Sequence, residues 1–135
     1  MNNFNFNKKE RLCLTNSISE LFNKGNYLKN NTFTIVWRLN NPDSDSNCKL
    51  AISVPKKKFR KAVDRNLIKR RIKEAYRINK NDFYNYLINN NVKINLMLIY
   101  THVQILKFSE IQEKIILTLN RLIKEIEKMQ NSVKK

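Results

Sequence analysis

The stretch from Lys56 to Arg77, K-K-K-F-R-K-A-V-D-R-N-L-I-K-R-R-I-K-E-A-Y-R, decides how this chain is built. Pro55, just before it, cannot donate to a sheet ladder and so closes the preceding strand. From about Lys61 to Asn79 there is neither Gly nor Pro, and apolar residues recur with a helical period. At about 100° per residue, Ile68, Ile72, Ala75 and Tyr76 share one stripe that faces a core. Beside it, Arg65, Asn66, Lys69, Arg70, Lys73 and Arg77 fill an arc of roughly 140°, with the small Ala62 near its middle. Arg65, Lys69, Lys73 and Arg77 step by four residues, so they form one nearly continuous ridge.

The charge on this segment is concentrated. Between Lys49 and Arg77 lie twelve Lys or Arg against two acids, Asp64 and Glu74, which is +10 of the chain's formal +16. Like charges at i, i+4 destabilise a helix by about 0.2–0.5 kcal/mol per pair, so the ridge calls for a counter-charge. A solvated basic face is the ordinary explanation of a charge run. Here the acids that would relieve the repulsion are scarce, and Asn66 stands among the cations. Arginine forks suit phosphate, and Asn can bond a ribose hydroxyl or a base edge. The pattern points to a nucleic-acid partner.

Residues 1–135 read as a single RNA-binding domain, with flexible ends over about 1–8 and 130–135. Apolar residues at 41%, with seven Phe, five Tyr and one Trp, argue for a folded core rather than a disordered basic tail. No apolar run approaches the roughly 18 residues of a membrane span. The start, M-N-N-F-N-F-N-K-K-E, lacks the apolar region of a signal peptide, so a cytoplasmic location is expected. Cys13 and Cys48 carry no metal-ligand spacing and read as small, half-buried side chains.

Ser17 and Glu20 have capping-box spacing, Leu21 and Phe22 follow, and Gly25 is the stop, which predicts a short helix over about Ile18–Lys24. Thr32–Leu39 alternates as a strand, with Phe33, Ile35, Trp37 and Leu39 on one side and Thr34, Val36 and Arg38 on the other. Asn40–Asn47, N-N-P-D-S-D-S-N, is a turn-rich link expected to join an antiparallel pair whose second strand is Cys48–Val54. After the basic helix, Asp82–Leu87 forms a short helical extension. Ile94–Tyr100, apolar on both faces, is a central strand. Ser109 and Gln112 open a long helix with a buried stripe of Ile111, Ile115, Leu119, Leu122, Ile126 and Met129, and the N-S-V-K-K tail should fray. The fold class is α+β: a single-domain α-β-β-α-β-α sandwich.

Nothing in the sequence assembles a catalytic centre in the protein. A nuclease site needs clustered carboxylates or histidines to hold metal or move protons. The single histidine, His102, follows a strand and reads as a loop residue, while Asp43 and Asp45 sit in a turn for backbone reasons. With Gly25 as the only glycine, no glycine-rich phosphate loop is possible.

The spacing Lys56-Lys57, Arg60, Lys61-Ala62, Arg65-Asn66, Lys69-Arg70, Lys73-Glu74, Arg77 resembles the RNR signature of the bacterial ribonuclease P protein component family. The likeness extends to Arg11-Leu12, the L-F-N-K-G helix end, the F-T-I-V-W-R-L strand and the final strand and helix. It implies a mixed sheet with a left-handed βαβ crossover, ribosomal protein S5 domain 2-like, where general rules favour a right-handed one. It also implies assembly with the catalytic RNA subunit of ribonuclease P and removal of the 5′ leader from precursor tRNA. Magnesium would be held mainly by the RNA, and there would be no membrane and no small-molecule substrate. Lys56, Lys57, Arg60, Lys61, Arg65, Asn66, Lys69, Arg70, Lys73 and Arg77 would then contact RNA. A cleft at Ile18, Phe22 and Val36 would take the leader, with Ile18 and Val36 standing where the family often has aromatic rings.

Three alternatives stand beside this. Phe22 also reads as an apolar anchor of the first helix. A ribosomal or other structural RNA-binding protein without an enzymatic partner fits composition and helix pattern equally well. A DNA-binding helix-turn-helix fits poorly, because two strands separate the basic helix from the helix before it.

Overall fold

The computed structural model describes residues 21–40 and 46–133. Residues 21–24 form a helical turn, α1, and then come β1 (Asn26–Lys29), β2 (Phe33–Leu39), β3 (Cys48–Ser53), α2 (Ala62–Asn79), α3 (Asn81–Asn89), β4 (Ile94–Tyr100) and α4 (Phe108–Val133). The four strands make one sheet in the order β1-β2-β4-β3, antiparallel except for the β3–β4 pair. The connection β3-α2-α3-β4 is therefore the parallel crossover, and it carries the basic helix.

Two features depart from expectation. β2 and β3 do run in opposite directions, but they are not neighbours: β4 lies between them, Val36 opposite Met97 and Met97 opposite Ala51. The physical reason is burial. β4 is the most apolar strand, and a central position covers both its edges and both its faces. The second feature is β1, a strand the sequence reading missed. Asn30 makes the turn that pairs it with β2: its side-chain oxygen accepts from the Thr32 and Phe33 amides at 2.8 and 2.7 Å, and its own amide donates to the Phe33 carbonyl at 2.9 Å. Arg121 of α4 then donates to the Lys29 carbonyl at 3.0 Å, tying the long helix to this strand.

One face of the sheet holds the main core. Phe33, Ile35 and Trp37 of β2 and Ile94, Leu96, Leu98 and Tyr100 of β4 pack there with Ile68, Ile72, Ala75 and Tyr76 of α2. They are joined by the α4 stripe from Ile111 to Ile126, and Met129 packs partly buried at its end. Both helical stripes fall where their periodicity put them. The α4 start differs: the helix begins at Phe108, and the Gln112 side chain accepts from Asn79 at 3.1 Å, bridging to the end of α2 instead of closing a capping box.

The opposite face, among the described residues, holds a smaller cluster. Leu21 of α1 sits on Val36 and Met97, with Ala51 and Ile99 at the margin. Gly25 is required by close approach. A Cβ there would run into the Leu21 carbonyl oxygen and come within 2.9 Å of the Val36 side chain. Its φ is not positive, so room rather than a left-handed turn decides the residue.

Candidate RNA interface

The basic helix is presented by a braced turn. Residues 56–58 turn back on Pro55, whose carbonyl accepts from the Lys58 and Phe59 amides at 3.3 and 3.2 Å. Phe59 is buried, its ring 5.8 Å from that of Tyr100. That anchor leaves Lys56, Lys57, Arg60 and Lys61 exposed around the N-terminus of α2. Lys61 takes the N-cap position in extended conformation without a side-chain cap. Arg65 reaches back from the first turn, donating through Nη1 to the carbonyls of Phe59 and Arg60, both at 2.8 Å.

The ridge read from sequence is therefore not uniform. At its far end Arg77 forms a two-pronged pair with Glu74, Nε to Oε2 at 3.1 Å and Nη2 to Oε1 at 2.5 Å. The hydrogen bond from Arg77 holds the Glu74 carboxyl below the usual carboxylate range, and the same bond raises Arg77. Between these ends lie Asn66, Arg70 and Lys73, all exposed, and the half-buried Lys69. These four make no hydrogen bond or ion pair with another described residue. Among the described residues, the cations of this face without a protein partner are thus Lys69, Arg70 and Lys73 with Lys56, Lys57, Arg60 and Lys61, flanked by two arginines already committed to protein partners.

A second loop supports the turn. Lys58 donates to the Thr101 carbonyl and Arg71 to the Leu106 carbonyl, each at 2.5 Å. Tyr100 pins the loop from within: its hydroxyl donates to the Gln104 carbonyl at 2.6 Å and accepts from the Leu106 amide at 3.2 Å. His102 accepts the Gln104 amide through Nδ1 at 3.1 Å, so it shapes this loop. Burial pushes the Tyr100 hydroxyl above its usual range, and Tyr76, against Cys48 and Tyr84, is pushed further in the same direction. None of these contacts was legible from residue type, because most of the acceptors are backbone carbonyls. Among the described residues no three His, Cys, Asp or Glu side chains come together to hold a metal ion, and no helix is long and apolar enough to cross a membrane.

The structure describes two of the three expected cleft residues, Phe22 and Val36. Ile18 and Cys13 lie outside the described residues. Val36 has no exposed surface and packs with Leu21 and Met97. Phe22 is 41% exposed and is not part of that cluster. The anchor of α1 is Leu21, one residue earlier, so the apolar-anchor reading of Phe22 passes to its neighbour. A residue the sequence reading did not single out, Tyr27 on β1, is 50% exposed and donates its hydroxyl to the Phe22 carbonyl at 2.8 Å.

Comparison with known proteins now bears on this geometry. A family model described as Ribonuclease P matches residues 6–126. The ribonuclease P protein component of Porphyromonas gingivalis is 39% identical over 77 residues, 57% of this chain and 56% of that protein. That of Petrotoga mobilis is 45% identical over 78 residues, 58% of this chain and 63% of that protein. These alignments span about three-fifths of the curated relatives' length. The RNase P protein of Thermotoga maritima superposes with a TM-score of 0.67 at 26% identity, covering 83% of this chain and 96% of that one. That of Staphylococcus aureus gives 0.66 at 22% identity, covering 84% and 97%, and supports the fold alone.

Proposed function

Because this chain belongs to the ribonuclease P protein family, we propose that it is the protein subunit of that ribonucleoprotein endonuclease. In this role it binds the catalytic RNA through the turn and exposed face of α2, and it assists removal of the 5′ leader from precursor tRNA. The observation that carries the reading is the RNR spacing laid out as one surface. Lys56, Lys57, Arg60, Lys61, Asn66, Arg70 and Lys73 are all exposed along the turn before α2 and the helix as far as Lys73, with Lys69 half-buried among them. Guanidinium and ammonium groups without protein counter-ions suit a phosphate backbone, and Asn66 can bond a ribose hydroxyl.

Bond cleavage is assigned to the RNA. The residues at this surface can neutralise phosphate and position an RNA strand, and they bring no acid–base pair to a scissile bond. Magnesium, in the same reading, is held mainly by the RNA subunit, and the protein's cations act by letting folded RNA and substrate approach each other. A cytoplasmic location follows from that partnership. The matches above lend no support to a ribosomal role.

Reconstitution tests this. Protein freed of RNA should leave precursor tRNA intact. Together with a bacterial ribonuclease P RNA at limiting magnesium, it should yield the mature 5′ end faster than RNA alone. Cleavage by the RNA-free protein, or no stimulation of the RNA, would overturn the assignment.

A further inference from the structure

Arg71 belongs to the basic run but points away from its ridge. Two residues along a helix turn it by about 200°, so Arg71 stands on the far side of α2 from Lys69 and Lys73. It is half-buried, and its Nη1 donates at 2.5 Å to the carbonyl of Leu106, in the loop between β4 and α4. An RNA strand lying on the ridge cannot also reach this guanidinium. Its role must be sought in the loop it holds.

Leu106 is a junction. Its carbonyl accepts from Arg71, and its amide donates to the Tyr100 hydroxyl at 3.2 Å. The same hydroxyl donates to the Gln104 carbonyl at 2.6 Å, so one oxygen holds the loop at two points. The Tyr100 ring is buried against Phe59, the anchor of the basic turn, with centroids 5.8 Å apart. Lys58, next to Phe59, donates to the Thr101 carbonyl at 2.5 Å. A continuous set of contacts thus runs from Arg71 through the loop to the turn that carries Lys56, Lys57, Arg60 and Lys61. Satisfied networks of this kind rigidify the segments they join.

We propose that Arg71 is a positioning residue for assembly with RNA: it fixes the 101–107 loop on α2, and the loop, through Tyr100 and Thr101, holds the basic turn in the arrangement that meets phosphate. The inference rests on the subunit role proposed above and deepens it. The basic run then contains two kinds of cation. One kind faces the RNA, and the other, Arg71 with Lys58, clamps the protein so that the first kind arrives already ordered. Each long side chain that must instead be immobilised on binding lowers affinity by about two- to twelvefold.

The test titrates the full chain with a bacterial ribonuclease P RNA at several salt concentrations, for the native protein, Arg71→Ala, Arg71→Lys, Tyr100→Phe and the Arg71→Ala/Tyr100→Phe double variant. Arg71→Ala should weaken RNA binding by roughly five- to twentyfold while the salt slope stays within about half a unit, because every phosphate-facing cation is still present. Arg71→Lys keeps a donor for the Leu106 carbonyl and should bind within about threefold of the native chain. In the RNA-free protein, Arg71→Ala should speed amide exchange at residues 56–61 and 101–107 and leave β4 and α4 protected. The double variant should lose no more affinity than the weaker-binding single, since both changes break one path. Native affinity in Arg71→Ala, or additive losses in the double variant, would overturn the proposal. A slope lower by about one unit with unchanged exchange at 56–61 would make Arg71 a direct phosphate contact and overturn it too. Faster exchange throughout β4 and α4 would reduce Arg71 to general stability, against the proposal. Failure of the native chain to bind the RNA is a separate result, which sinks the subunit role and this inference with it.

Discussion

The two faces of the sheet are built on different principles. The packed face is redundant. Three helices cover it, and each buried position touches others that would hold the element if it were lost. On the other face, among the described residues, the buried cluster is Leu21, Val36 and Met97, and Gly25 has no room for a Cβ. Among the described residues, buried contacts are denser on the first face. Local stability follows the density of buried contacts, so the second face should loosen first.

Truncation at equal depth is the sharpest way to test that contrast. Ile72 is fully buried between α2 and the sheet, and Ile72→Ala should cost about 3–5 kcal/mol in global unfolding. Leu21 is 1% exposed, yet its cluster among the described residues is smaller, so Leu21→Ala should cost only about 2 kcal/mol. The loss should also be local. Amide exchange should rise at residues 21–29 while β4 and α4 keep their protection. If the two variants lose equal stability and exchange everywhere, the faces form one cooperative unit and the contrast fails.

The same contrast explains what could be read from sequence. α2 and α4 are long enough to repeat their apolar stripes, so Ile68, Ile72, Ala75 and Tyr76, and Ile111 through Ile126, were legible. β4 was legible because it is apolar on both faces. The strand order was not, because alternation sets which side a residue takes but not which strand lies beside it. β1 has four residues, too few for a period to show, and its turn depends on the Asn30 side chain. In the helical turn at residues 21–24, a one-residue error swings a side chain by about 100°, which separates buried Leu21 from exposed Phe22. Within the basic face, spacing put Arg65 on the helix but could not reveal that its acceptors are the Phe59 and Arg60 carbonyls. The Glu74–Arg77 pair was readable in principle, since acid and base at i, i+3 are helix neighbours.

Smaller effects separate the two kinds of arginine on α2. Arg70 is exposed and bonds to no described residue, so Arg70→Ala should leave the melting midpoint unchanged and lower the salt slope of RNA binding by about one unit. Arg65 braces the turn before the helix, so Arg65→Ala should lower the melting midpoint and also weaken RNA binding, by releasing Lys56–Lys61 from their fixed arrangement. Melts and salt titrations on both variants decide this. A normal melt for Arg65→Ala would return it to the exposed class.

The smallest expected change lies at the far end of the ridge. Arg77 raises the question of whether a cation already paired can serve RNA. Its bond lowers the Glu74 pKa, so the pair's contribution is present above the ordinary value near 4.5 and is lost as pH falls through the lowered one. At neutral pH the pair is therefore intact, and phosphate must compete with Glu74 for the same guanidinium. Both side chains are partly exposed, so Glu74→Gln should leave the melt almost unmoved. It should release Arg77 to phosphate, tightening RNA binding modestly and steepening the salt slope by up to about one unit. Arg77→Ala in the native background should barely change that slope. If instead Arg77→Ala flattens it and Glu74→Gln does nothing, the pair opens when RNA arrives and Arg77 belongs with Lys69, Arg70 and Lys73 after all. That outcome would extend the RNA-binding ridge along the whole helix.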